Sequence, residues 1–180
     1  MDEHLRDLME DLEQYIRDNW VASDDEEPSQ KEVDDSLNKQ DRNTGISKSG
    51  SVFSGQPKPF SLEELIGDVG KTFHEVLFEK IAESGMTDVE VYKRANMDRK
   101  LFSKIRNNPA YHPGKDTVLA LAIALRMNLE QTQDLLSRAE YAFSPSSKSD
   151  VIVRYFIERE IYDIHLINIA LDEHGQAILE

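Results

Sequence analysis

Between Met86 and Lys115 the chain carries seven basic residues, Lys93, Arg94, Arg99, Lys100, Lys104, Arg106 and Lys115, against three acidic ones, Asp88, Glu90 and Asp98. A local excess of positive charge is the electrostatic footprint of a face that meets phosphate. Within such a face, a guanidinium can offer two parallel N–H donors to a guanine edge, while ammonium groups pair with phosphates and set register without reading sequence. The rest of the chain is strongly acidic: 35 Asp and Glu against 21 Lys and Arg in 180 residues, a formal charge of -14. A chain-wide attraction to nucleic acid or to an anionic membrane is therefore excluded, and any such contact must be local.

Other chemistries find no support in residue types or spacing. His4, His74, His112, His165 and His174 are scattered without metal-ligand spacing. No Gly-rich phosphate loop, nucleophile elbow or paired-carboxylate signature occurs. The chain has no cysteine, which excludes disulfides and thiolate metal sites. No catalytic residue, metal or cofactor is expected, and the protein is read as a binding protein and not an enzyme. The absence of an apolar run of about 18 residues predicts no membrane span. The lack of a signal-like amino terminus adds the expectation of a cytoplasmic protein.

The elements that must position the basic residues follow from apolar spacing and caps. Residues 1–22 predict a separate amphipathic helix, with Leu5, Leu8, Leu12, Tyr15 and Ile16 on one stripe of an acidic surface. That stripe either docks on its own protein or is offered to a partner or a second copy. Residues 23–59 are polar and read as a disordered linker. Residues 60–180 carry the fold. Ser61 with Glu64 forms a capping box for a helix near Leu62, Phe73 to Ala82 forms the next helix, and Ser84-Gly85 closes it. Thr87 caps a short helix through Tyr92 to Ala95, and Asp98 caps another through Phe102 and Ile105. TVLALAIAL, from Thr117 to Leu125, is apolar on all faces and predicts a helix buried in the middle of a bundle. Val151 to Ile157 suits a helix by spacing and a strand by its β-branched residues, and helix is preferred because a lone strand has no pairing partner. One further helix follows through Ile164 and Leu171.

The stretch GMTDVEVYKRANMDRKLFSKIRNNP, Gly85 to Pro109, resembles the helix-turn-helix of the Cro and phage-repressor family, the xenobiotic response element family. Thr87, the Ala95-Asn96-Met97 turn, Asp98, Ser103 and Ile105 take the family's positions. A wider similarity, Met86 through Leu171, is to small bacterial helix-turn-helix or sigma-factor-like modules. The resemblance implies an all-α fold: a five-helix bundle with a helix-turn-helix, extended by further carboxy-terminal helices. It implies a recognition helix at about 98–107 and a bacterial DNA-binding transcriptional regulator acting on double-stranded DNA as a dimer, joined through the first or last helices. Arg99, Lys100, Ser103 and Lys104 then face base edges, and Thr87, Lys93, Arg106 and Lys115 stand near the phosphates. Four positions depart from the family: Asp88 replaces a glutamine and would repel phosphate, Tyr92 stands where a small buried residue is usual, Asn96 replaces the turn glycine, and Arg106 replaces a glutamate, which removes a familiar internal ion pair. The alternative is a protein-interaction adaptor, an antitoxin or defence-accessory protein that keeps the fold without binding DNA. Tyr111 and His112 are a further pair able to stack on a base or to pack a loop.

Overall fold

Eight helices and no strand make up the described residues, 3–22 and 70–179, of the computed structural model. They are α1 (Glu3–Asn19), α2 (Phe73–Ser84), α3 (Asp88–Arg94), α4 (Arg99–Asn107), α5 (Lys115–Ala124), α6 (Leu129–Arg138), α7 (Lys148–Glu158) and α8 (Ile164–Glu173). The expected linker and the Ser61–Glu64 capping box lie outside the described residues. The all-helical class is as the sequence predicts, and the ambiguous run at 151–157 is helix.

Side-chain caps start the helices. Thr72 with Glu75, Thr87 with Glu90 and Asn128 with Gln131 form reciprocal capping boxes that satisfy otherwise orphaned N–H groups. Asp98, Ser147 and Asp163 accept one or two amide hydrogens in the same role. Gly85 closes α2 in the left-handed region, at φ 66°.

The pairs α3–α4, α5–α6 and α7–α8 are joined by one recurring turn. After each first helix comes a residue at positive φ: Asn96 at 51°, Arg126 at 53° and Glu160 at 57°. The next residue reaches back five positions, Met97 N–H to the Tyr92 carbonyl at 2.9 Å, Met127 to Ala122 at 3.0 Å and Ile161 to Phe156 at 2.9 Å. This is the Schellman closure, which satisfies free carbonyls at the helix end. Met97 and Met127 are buried beneath their turns and Ile161 is half-buried. Asp98, Asn128 and Asp163 then cap the second helix of each pair.

Helix α5 is the axis of the core. Val118 through Ala124 are all buried, and the helix packs against α3, α6 and α8. Helix α7 is the second buried element, with Tyr155 and Phe156 fully enclosed. It contacts α6, α8 and α1.

Helix α1 belongs to the same compact unit as residues 70–179. The choice left open by sequence, own protein or partner, is met by α7. Leu12 and Ile16 are buried in the common core, with Leu8 and Tyr15 packed at its edge. Polar contacts fix the register of the two helices. The Tyr155 hydroxyl donates to Asp11 at 2.8 Å, the Tyr15 hydroxyl donates to Glu158 at 2.8 Å, and Arg159 pairs with Asp11 at 2.7 Å. Burial, helped by the Glu158 carboxylate, pushes the Tyr15 phenol up to about 12, so it remains a donor across the neutral range. Beyond the helix, the Trp20 indole donates to the Ser146 carbonyl at 3.2 Å and the Val21 amide to that of Pro145 at 2.9 Å.

Because Leu12 is fully enclosed, Leu12→Ala removes buried area and leaves a cavity. The expected loss is about 2–5 kcal/mol of unfolding free energy, read as a lower urea midpoint at unchanged slope. An unchanged midpoint would show that α1 is not part of the cooperative unit.

Candidate nucleic-acid interface

Helix α4 divides cleanly into two faces. Phe102 and Ile105 are buried, and Met97 plugs the turn before them. The Phe102 ring meets Phe78 at 6.2 Å and Tyr92 at 6.0 Å between centroids. This aromatic cluster fixes the roll of the helix, so its opposite face is held toward solvent. Arg99, Lys100, Ser103 and Lys104 are all exposed there. Lys100, Ser103 and Lys104 are spaced to form one stripe, and Asn107 continues it at the next turn. The Asn107 amide donates to the Ser103 hydroxyl at 3.1 Å. Asn107 was not singled out from sequence, although its spacing from Lys100 and Ser103 carries the signal. The Lys104 ammonium sits 4.2 Å above the centre of the Tyr111 ring, a cation–π contact that orders its long chain. Asp98 caps the helix by accepting the Lys100 amide at 2.7 Å, placing one carboxylate at the head of the basic stripe.

Of the other expected contact residues, Thr87, Arg106 and Lys115 have structural partners. The Thr87 hydroxyl belongs to the capping box of α3, donating to Glu90 at 2.8 Å and accepting the Glu90 amide at 3.3 Å. The Thr87 amide bonded to Glu90 holds that carboxyl below the ordinary glutamate value. Its contribution is therefore present at neutral pH and is lost as pH falls through the lowered value. Arg106 pairs with Asp88 at 3.0 Å and lies 4.7 Å from the centre of the Phe78 ring. Two of the departures noted in the sequence thus answer each other. An internal ion pair exists where its loss was expected, and the Asp88 charge is balanced by Arg106.

Lys115, expected near a phosphate, is instead held by the Asp150 carboxylate, which is 2% exposed and also accepts the Ser144 amide at 2.7 Å. This pair ties the start of α5 to the first turn of α7. Lys93 is exposed at the end of α3, where with Arg94 it lines a cleft. Tyr111 is engaged with Lys104, and the His112 ring packs against Tyr141 at 5.3 Å. The stripe of α1 expected to meet a partner (Leu5, Leu8, Leu12, Tyr15 and Ile16) has its centre closed by the core, Leu5 remaining half-buried.

The recurring turn gives an internal comparison. The second helices of the other pairs expose Glu130, Gln133, Asp134 and Ser137 on α6, and His165, Ile169, Asp172 and Glu173 on α8. Among the described residues, only α4 combines this turn with a basic outer face. No group of His, Asp and Glu among them is arranged to hold a metal ion, and no helix is long and apolar enough to cross a membrane.

Lys115→Ala leaves Asp150 buried without its counter-charge, and removing one partner of a buried pair costs about 3–5 kcal/mol. The quarter exposure of Lys115 argues for the lower end of that range. The measurement is the denaturation midpoint, and a change near zero would contradict a structural role for the pair. Comparison of the chain with protein-family models, curated proteins and solved structures gives no match.

Proposed function

We propose that the protein is a DNA-binding transcriptional regulator that presents α4 to the major groove of double-stranded DNA. The observation that carries this reading is the outer stripe of α4, where Arg99, Lys100 and Lys104 are exposed and take part in no ion pair among the described residues. Elsewhere in the described fold Arg17, Lys71, Lys80, Lys115, Arg138, Arg154 and Arg159 are paired with carboxylates. Cations left without a counter-charge on a helix favour an external anion, and a helix whose roll is fixed by the buried Phe102 offers the same side chains to every groove it enters.

In this reading Arg99 donates to a guanine edge, Ser103 and Asn107 make the shorter polar contacts, and Lys100 and Lys104 pair with phosphates. The resemblance to the Cro and phage-repressor family supports the same assignment of α3 and α4. The Asp88–Arg106 pair supports it further, because the carboxylate that would repel phosphate is balanced within the protein. With the centre of the α1 stripe packed on α7, a dimer contact would use another surface; α8 exposes Ile169, and the tail exposes Ile178.

The recurrence of the same turn in α5–α6 and α7–α8 favours the adaptor reading to a limited degree, since that connection serves packing in two places where no basic face follows. Selection of bound sequences from random duplex DNA separates the two readings. The regulator predicts an enriched motif. It also predicts that Arg99→Glu with Lys104→Glu reduces affinity by at least a hundredfold while far-UV circular dichroism is unchanged. Absence of enrichment, or full affinity in the folded double variant, would overturn the regulator and leave the adaptor.

A further inference from the structure

The ends of α3, α5 and α7 meet around an open cleft of about 570 Å³. Lys93 and Arg94 enter it from the last turn of α3, Arg126 from the turn after α5, and Glu160 and Tyr162 from the connection after α7. A volume of this size lies within the range of small-molecule sites. Three of its lining residues are cations, and Lys93, Arg94 and Arg126 take part in no ion pair among the described residues. The nearby Asp163 carboxylate is already engaged, accepting the His165 amide at 3.0 Å and the Leu166 amide at 3.3 Å. Tyr162 is half-buried, and burial raises its phenol above the ordinary value, with Glu160 adding to the shift and Arg126 opposing it. Both charged groups therefore act on the ring. The backbone fixes their origin, since Arg126 and Glu160 are the left-handed residues of two of the three recurring turns.

We propose that this cleft binds a small phosphorylated ligand of the nucleotide class, with phosphate held by Lys93, Arg94 and Arg126 and a planar ring laid on Tyr162. Three cations lining one cleft suit a group carrying more than one negative charge, and guanidinium forks match phosphate oxygens in pairs. Glu160 is placed to accept from a ring amine or a sugar hydroxyl. The site is distinct from the α4 stripe and stands whether or not the protein binds DNA.

Calorimetric titration of the full chain with AMP, ATP, GMP, GTP and inorganic phosphate tests the assignment. Saturable binding of at least one nucleotide is expected, weakened tenfold or more by Arg94→Gln with Arg126→Gln and unchanged by Arg99→Gln. Tyr162→Leu is expected to weaken the nucleotide several-fold and to leave inorganic phosphate as before. Should the double variant lose its fold, each single variant supplies the same comparison. No saturable binding of any nucleotide at millimolar concentration would overturn the proposal. So would wild-type affinity in the folded arginine variants. Inorganic phosphate binding as tightly as every nucleotide would overturn the ring contact. Weakened duplex DNA binding in the arginine variants, with no nucleotide bound, would instead place the cleft along a DNA backbone.

Discussion

The structure depends on the burial of α5. A helix that is apolar on every side has no solvent face, so it is stable only when enclosed. Helices α3, α6 and α8 supply that enclosure directly, and α7 packs against α6 and α8 beside them. The Lys115–Asp150 pair at the head of α5 adds the polar constraint, linking its first turn to that of α7. The orientation of α4 follows from this arrangement, because α3 is seated on α5 and α4 is joined to α3 by three residues, Asn96, Met97 and Asp98, and the cap Ala95.

The repeated turn explains how so short a chain builds this enclosure. A positive-φ residue, an inward apolar residue and an Asp or Asn cap reverse the chain while satisfying both helix ends. Used three times, the device gives three helix pairs of similar connection. A turn of this type therefore specifies packing and not function. What distinguishes the α3–α4 pair is the charge on the outer face of its second helix, where the other two pairs are acidic or mixed.

Much of this was legible in the sequence because the signals are local. Thr87, Asp98 and Gly85 are read from residue type and position alone, and TVLALAIAL declares its burial through composition. Asn96 was legible as a residue that tolerates positive φ, whereas Arg126 and Glu160 in the same conformation were not, since nothing in their type favours it. Long-range pairings were out of reach. Lys115 reads as one more member of a basic cluster because Asp150 is 35 residues away, and the Asp88–Arg106 pair joins two different helices, which residue spacing alone does not reveal. The docking of α1 was undetermined for the same reason: an amphipathic stripe shows that a helix needs a partner surface without showing which surface. The cleft between the helix ends was invisible, being assembled from three connections far apart in sequence.

In the proposed reading the stripe of α4 meets a nucleic-acid backbone. The most direct measurement is the dependence of the duplex association constant on salt, for the native chain and for Lys100→Ala. Each phosphate contact contributes about -0.9 to the slope of log K against log salt. A clearly negative slope is expected in the native protein, made shallower by about one unit when Lys100 is removed. A slope near zero, or the same slope in both proteins, would contradict it.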